Sequence, residues 1–229
     1  MIQAVLLEFD GVIADTREAR REALLLALEA DGIALDDDEY DAWCGARPTR
    51  SAVRAAMSLR QRRPDETTID LATARAERRF ARSVDAGLTL TLGARSFIES
   101  LQGHARLGIV SRASRRDVEA TLSMAQLDYA FEFIVCDDDP HLPKPSPEPY
   151  AAALERLARR RAVVATNVVV LEDGITGIQS AKDAGLRCAV VGAVPAHIAM
   201  SADALIPSLA GLTAAVLDAM TLGTHTAGR

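Results

Sequence analysis

The stretch Val5-Leu-Leu-Glu-Phe-Asp-Gly-Val-Ile-Ala-Asp-Thr16 decides the fold, because a short apolar run changes there into carboxylates followed by a glycine. The apolar run is typical of a buried strand. Side chains two residues apart in a strand point to the same side, so Glu8 and Asp10 should face one crevice, and Gly11 lets the backbone turn away. Two adjacent carboxylates repel each other unless a cation or a proton lies between them. The stretch therefore indicates a site with a divalent metal, and a solvated acidic turn is the alternative.

The composition is that of an ordinary globular protein and disfavours several functional classes. The chain has 229 residues, of which 49% are apolar and 25% charged, and its net charge is -6. An acidic chain lacks the basic face that nucleic-acid backbones require, so no nucleic-acid partner is expected. No apolar run approaches the roughly 18 residues of a membrane span, which leads us to expect a cytoplasmic protein without a membrane partner. We also expect a monomer, and reduced core thiols at Cys44, Cys136 and Cys188.

The periodicity of apolar residues divides the chain into two regions. Helical spacing without a convincing strand follows the first strand up to about residue 88, which indicates an inserted helical block. From residue 92 onward strands and helices alternate, which predicts a parallel sheet covered on both faces. We therefore predict a core of residues 1–15 and 89–229 and a helical domain of residues 16–88. The later strands are expected at 107–110, 133–136, 168–171, 188–191 and 204–206, with core helices at 93–102, 115–125, 147–160 and 176–184.

Ligands of such sheets bind beyond the carboxyl ends of the strands, so the residues that follow each strand are the candidates for a site. Ser111 and Arg112 follow the second strand, where a hydroxyl and the next N–H groups can hold the oxygens of a phosphoryl group. Lys144 lies between prolines in Leu142-Pro-Lys-Pro-Ser-Pro147, and this restricted backbone suits a fixed counter-charge. The ordinary alternatives are a turn-capping serine and a solvated lysine.

The fourth strand ends in Val170-Leu-Glu-Asp-Gly174, which places two more carboxylates where metal ligands would be needed. Magnesium takes oxygen ligands in an octahedron and keeps several waters, so two or three carboxylates are sufficient. Glu172 and Asp173 thus join Glu8 and Asp10 as candidate ligands of Mg²⁺.

In this order, the four stretches resemble the haloacid dehalogenase superfamily, specifically its beta-phosphoglucomutase-like group, over essentially the whole chain. The resemblance implies an α/β fold with a Rossmann-like three-layer core and a parallel sheet, plus an inserted small all-helical cap domain. It also implies Mg²⁺-dependent phosphoryl transfer, most simply the hydrolysis of a small phosphorylated metabolite.

The resemblance also implies a role for each candidate residue. Glu8 takes the place of the nucleophile that becomes a phospho-enzyme and binds the metal. Asp10 is the general acid and base, and its carbonyl also contacts the metal. Ser111 and Lys144 bind the transferring phosphoryl group, and the carboxylates at positions 172 and 173 hold magnesium.

Two departures from the family pattern matter. The nucleophile of the family is aspartate, whereas this chain has Glu8, whose extra methylene shifts the carboxylate forward by roughly 1 to 1.5 Å unless the side chain folds back. A displacement of the nucleophile by about 1 Å can lower the rate about 10²-fold. We therefore expect the metal site to survive and phosphoryl transfer to be slow or lost. Members that act as mutases tend to have a histidine where this chain has Arg20. Arg47 and Arg112 are candidates for substrate contacts.

Three other functions compete with a phosphatase. A catalytically silent relative could bind a phosphorylated ligand or a protein through the same crevice. A sugar phosphomutase is disfavoured by the missing histidine. Dehalogenase chemistry ranks last, because Lys144 and the carboxylates at positions 172 and 173 suit a phosphate and a cation.

Overall fold

A computed structural model of the protein describes residues 1–45, 47–60 and 63–222. The chain forms two compact units, one of Met1–Asp15 with Thr89–Arg229 and one of Thr16–Leu88. The strands are β1 Ala4–Leu7, β2 Arg106–Val110, β3 Phe133–Val135, β4 Val168–Glu172, β5 Arg187–Val191 and β6 Ala204–Ile206. The helices are α1 Arg17–Glu29, α2 Asp37–Trp43, α3 Thr49–Leu59, α4 Glu66–Ala86, α5 Ala94–Leu101, α6 Arg115–Met124, α7 Glu148–Arg160, α8 Ile175–Asp183, α9 Ala196–Ala199 and α10 Ala214–Leu222.

The first unit contains a six-stranded parallel sheet in the order β3-β2-β1-β4-β5-β6. This is the doubly wound Rossmann order, in which the chain proceeds in one direction from β1 through β2 and in the other through β4. Leu7 pairs with Ile109 on one side and with Leu171 on the other. The residues just beyond β1, β2 and β4 therefore meet at the strand-order reversal, which confirms the predicted parallel α/β core.

Burial of apolar side chains holds this unit together. All four residues of β1 are buried, as expected for a central strand covered on both faces. On one face, the strands pack against α7 through Tyr150, Ala153 and Leu157, which recur at helical spacing. Burying a large apolar side chain contributes about 1.5–3 kcal/mol, so this stripe fixes α7 against this face of the sheet.

The second unit is built from α1 to α4, and no strand is present among its described residues. Its core is formed by buried residues from all four helices, among them Leu28, Tyr40, Met57 and Ile69. Asp36 begins α2 with a capping box, in which its side chain accepts the Glu39 N–H and the Glu39 side chain accepts the Asp36 N–H. The acidic side chains from Asp36 to Glu39 predict a helix start there, and the capping box agrees with it. The all-helical character predicted for the insertion is confirmed.

The element boundaries differ from the predictions in a few places. Apolar spacing in the sequence predicts α4 from Ile69 to Val84, but the helix begins at Glu66, because the side chain of Asp65 accepts the Thr68 N–H as a cap. Helices α9 and α10 were not predicted, since both lie in small, weakly patterned sequence near the end of the chain. The sequence also predicts a turn from Arg60 to Pro64, of which positions 61 and 62 lie outside the described residues.

Two properties of the whole chain follow from the structure. The three cysteines are free and buried, as predicted. Among the described residues, each helix is either too short or too polar to cross a membrane.

Candidate active site

The carboxyl ends of β1, β2 and β4 bring four of the predicted site residues into contact. Glu8 follows β1 directly, and its N–H donates to the carbonyl of Leu171 at 2.9 Å. This bond places Glu8 beside Glu172, the last residue of β4. Ser111 follows β2 and is buried, as are both glutamates. Lys144 reaches the same point from the loop before α7, and its side chain is only 1% exposed.

The Lys144 ammonium joins the two glutamates. Its Nζ lies 2.7 Å from Oε2 of Glu8 and 2.5 Å from Oε1 of Glu172, and it also donates to the carbonyl of Val110 at 2.8 Å. All three bonds of the ammonium are thus made to acceptors at strand ends. A buried cation that joins two carboxylates through direct hydrogen bonds is expensive to disrupt, because removing it leaves unpaired buried charge.

The Glu8 side chain folds back onto its own backbone. Its Oε1 accepts the N–H of Phe9 at 2.7 Å, and the hydroxyl of Ser111 also donates to the Glu8 carboxylate. The extra methylene is therefore accommodated by curling rather than by full extension into the crevice. The hydroxyl of Ser111 in turn accepts the Ala113 N–H at 3.1 Å.

Burial and neighbouring charge shift the pKa values of the cluster. Burial raises the pKa of the Glu8 carboxyl, but the Lys144 ammonium and the bonds from Ser111 and Phe9 outweigh it and hold that pKa below its ordinary value. Burial also raises the pKa of Glu172, which additionally faces the Glu8 carboxylate. Burial alone would lower the pKa of Lys144, yet the two carboxylates raise it, so the ammonium stays protonated.

Sequence reasoning missed two residues that support this cluster. The hydroxyl of Tyr150 donates to Oε1 of Glu172 at 2.7 Å, and the Tyr150 ring centroid lies 4.9 Å from the Lys144 Nζ. Gly177 in α8 leaves space for Glu172, since a Cβ there would lie 1.9 Å from the Glu172 Cδ. The apolar spacing of α7 could have pointed to Tyr150 as a buried residue, but nothing in it indicates where the hydroxyl points.

Two further acidic residues, Asp10 and Asp173, lie beside this cluster. Asp173 follows β4, and a Cβ added to Gly11 would lie 2.4 Å from Oδ2 of Asp173, so only glycine fits at the turn after Asp10. Gly11 also has a φ of 73°, a conformation that favours glycine. Burial raises the pKa of Asp173 to about 8, and the carboxylates of Glu172, Glu8 and Asp10 add to the rise.

Comparison with known proteins identifies the family. Residues 5–191 match the model of the haloacid dehalogenase-like hydrolases. The chain belongs to this family. The hydrolase is 32% identical to Protein CbbY of Cereibacter sphaeroides over 200 residues, which are 83% of this chain and 84% of that protein. It is 27% identical to a validoxylamine A 7'-phosphate phosphatase of Streptomyces hygroscopicus subsp. limoneus over 91% of this chain and 95% of that one.

A solved structure agrees with the fold of the hydrolase. A CbbY mutant from Rhodobacter sphaeroides in complex with xylulose-(1,5)bisphosphate superposes with a TM-score of 0.77 at 29% identity, covering 95% of this chain and 99% of that one. The predicted resemblance to the haloacid dehalogenase superfamily is confirmed.

Two of the predicted site residues are exposed, Arg112 on the loop after β2 and Arg47 before α3. Of the four residues predicted as metal ligands, Glu8 and Glu172 accept hydrogen bonds from Lys144. Among the residues described, no group of three or more His, Cys, Asp and Glu side chains is arranged to hold a metal ion.

The remaining carboxylates still suit the magnesium ion that the family implies. Magnesium is commonly bound through one or two carboxylates, with waters and substrate oxygens completing its octahedron. Asp173 is buried among like charges that raise its pKa, which is the environment that a divalent cation relieves. The Asp173 carboxylate therefore suits such an ion, with the Asp10 carbonyl as the second protein donor that the family resemblance implies.

The raised pKa of Asp173 predicts a pH-dependent cost to stability in metal-free protein. Between the ordinary value of 3.8 and about 8, the unfolded carboxyl loses its proton while the folded one keeps it, so the free energy of unfolding falls as the pH rises across this range. We expect Asp173→Asn to leave stability nearly unchanged near pH 4 and to raise it near pH 8. Urea unfolding with a chelator present measures this.

The matched control is Asp183→Asn, which removes an exposed carboxylate at the end of α8. We expect no comparable pH-dependent gain in the free energy of unfolding from this variant. A gain in the free energy of unfolding for Asp173→Asn that is the same at both pH values would contradict the prediction.

Proposed function

We propose that the protein is a magnesium-dependent phosphatase of a small phosphorylated metabolite. The observation that carries the proposal is the buried Lys144 ammonium, which lies in hydrogen-bonding distance of both Glu8 and Glu172 beside the Ser111 hydroxyl. A hydroxyl, an ammonium and a carboxylate at one sheet edge form the set that phosphoryl transfer to a carboxylate requires.

The proposed reaction has two displacement steps. A Glu8 carboxylate oxygen attacks phosphorus, the bond between phosphorus and the ester oxygen breaks, and Asp10 gives its proton to the leaving alcohol. Asp10 then removes a proton from water, which attacks the same phosphorus and releases inorganic phosphate with the Glu8 carboxylate restored.

Lys144 and Ser111 hold the phosphoryl group in this scheme. The three phosphoryl oxygens carry most of the charge in such a transition state, so a fixed ammonium and hydroxyl beside them lower the barrier. Lys144 is fixed in advance by Glu172 and Tyr150. The Asp173 carboxylate and the Asp10 carbonyl would hold magnesium, which would neutralise phosphoryl charge when bound.

The substrate class is suggested by the relatives. The names of two of them specify phosphorylated carbohydrates in one case and validoxylamine A 7'-phosphate in the other. A further relative was crystallised with a sugar bisphosphate. We therefore infer that a phosphorylated sugar or sugar-like polyol is the substrate, and that the helical unit acts as the cap domain of the family.

A second function is favoured by the state of Glu8. Each of its carboxylate oxygens already accepts a hydrogen bond, Oε1 from the Phe9 N–H and Oε2 from Lys144, and it curls back from full extension. A carboxylate held in this way is a poor nucleophile, because attack requires an oxygen to leave its donors. The rival proposal is a catalytically silent relative that binds a phosphorylated ligand.

Mutase chemistry receives no support from the helical unit. Arg20 lies where mutases of the family tend to carry a histidine, and its guanidinium stacks over the Phe80 ring at 3.9 Å from the centroid. An arginine in this contact is not suited to exchange a proton near neutral pH.

Phosphate release from a panel of sugar phosphates and sugar bisphosphates, with and without magnesium, tests the proposal. We expect slow, magnesium-dependent release that is lost in Asp10→Asn. Robust turnover by the unmodified protein excludes the silent rival. Thermal stabilisation by inorganic phosphate without any turnover favours the silent rival. If neither the unmodified protein nor Glu8→Asp releases phosphate, the phosphatase proposal is ruled out.

A further inference from the structure

An open groove lies at the amino-terminal edge of the sheet, at the opposite end of the strands from Glu8 and Lys144. It has a volume of about 850 Å³, within the range of about 300–1,000 Å³ typical of small-molecule sites. We call it the basal groove. Its chemistry comes mainly from Gln102, Arg106, Tyr129, Phe131, Arg160 and Arg161.

The floor of the basal groove is rigid. Arg106 makes a bidentate ion pair with Glu132, with its Nε 2.9 Å from Oε1 and its Nη2 2.7 Å from Oε2. The Nη1 of Arg106 also donates to the carbonyls of Leu157 at 3.0 Å and Arg161 at 3.1 Å. Arg106 therefore neutralises the acidic side chain Glu132 of the groove and also fixes the backbone at the end of α7.

Two further arginines leave the groove with excess positive charge. The Arg160 side chain is 71% exposed, and its Nη1 is 3.8 Å from Glu132, which already binds Arg106 bidentately. Arg161 is also exposed. Exposed pairs at such a distance contribute little to stability. On a chain with a net charge of -6, this local excess of positive charge favours an anion.

Aromatic side chains line the groove beside this charge. Tyr129 is 65% exposed, and Phe131 is half-buried next to it in sequence. Stabilisation of the C-terminus of α7 is one role for the arginines there. The exposed Tyr129 ring adds an aromatic surface to the same groove. A planar ring packs against tyrosine, and guanidinium groups bind phosphate through paired N–H bonds.

We propose that the basal groove binds a nucleoside phosphate, with its base against Tyr129 and its phosphates at Arg160 and Arg161. This site is separate from the catalytic crevice and does not depend on the proposed phosphatase activity. A bound nucleotide stabilises the folded protein through mass action.

Calorimetric titration with ADP, without magnesium, tests the proposal on the unmodified chain and on Arg161→Ser. Arg161→Ser removes a charge-assisted contact to the phosphates, so it should weaken ADP binding about tenfold or more. Arg159→Ser is the matched control, because Arg159 is an exposed arginine of the same helix end that does not line the groove. It should bind ADP as the unmodified protein does.

Four outcomes overturn the proposal. One is the absence of saturable ADP binding up to about 10 mM, well above a Kd of about 1 mM. Another is an equal loss of ADP affinity in Arg159→Ser, which would show that binding depends only on the overall positive charge of this helix end. The third is loss of binding in Ser111→Ala, which would place the nucleotide in the catalytic crevice. Pyrophosphate that binds as tightly as ADP would likewise overturn the assignment of a nucleoside.

Discussion

Glu8→Asp is expected to raise kcat for phosphate release by about 100-fold, the scale of the penalty for a reacting group displaced by about 1 Å. The shorter side chain cannot curl back to the Phe9 N–H as Glu8 does. Its oxygen would approach phosphorus directly from the end of β1, with Lys144 and Ser111 still in place. KM should change little, because the nucleophile acts mainly in the transition state.

The matched control is Glu172→Asp, which removes one methylene from the other buried glutamate of the same cluster. It should lower turnover, because Glu172 positions Lys144 and a shorter side chain would withdraw from it. Steady-state kinetics with a substrate from the phosphate-release panel measures both variants. No gain in Glu8→Asp, or an equal gain in both variants, would show that the length of the Glu8 side chain does not limit the reaction.

Lys144→Met is expected to cost about 3–5 kcal/mol of the free energy of unfolding at neutral pH. Removing one partner of a buried ion pair leaves uncompensated charge, here on both Glu8 and Glu172. The pKa of Glu8 is lowered from 4.5 and that of Lys144 is raised from 10.5, so the stabilisation is fully present between these two pH values. It is lost as the pH falls below the pKa of folded Glu8.

Urea unfolding near pH 7 measures this loss, and Tyr150→Phe provides a graded comparison. That change removes one neutral donor from Glu172 and should cost about 1–3 kcal/mol. An effect of Lys144→Met no larger than that of Tyr150→Phe would mean that the ammonium is not the main stabiliser of the cluster. Activity should be lost in Lys144→Met, since the phosphoryl group would have no fixed cation.

The sequence predicted the sheet and the gathering of Glu8, Ser111, Lys144 and Glu172, for a simple physical reason. Parallel strands present their carboxyl ends at one edge, so short motifs that follow each strand must meet there. The same reasoning could not show what each side chain contacts. It predicted Glu172 as a metal ligand, but it could not predict the hydrogen bonds that Glu172 accepts from Lys144 and Tyr150, because these depend on side-chain positions.

Helix predictions succeeded where apolar spacing was strong and failed where it was weak. Clear apolar stripes predict helices over 16–30, 69–84 and 147–160, and α1, α4 and α7 lie close to these positions. Helix α10 consists mostly of small or apolar residues without a polar face, so its periodicity carries little signal. The basal groove was not predicted either, because its residues come from the starts of strands and the end of α7.

The missing side chain at position 177 restricts how this protein can change over evolution. Since even a methyl group there would overlap the Glu172 carboxylate, replacing Gly177 by another residue would displace that carboxylate from its position beside Lys144. Laboratory libraries aimed at new substrates should therefore keep this glycine constant, although it never meets a substrate. An empty volume the size of one carbon atom is thus a structural requirement of this site.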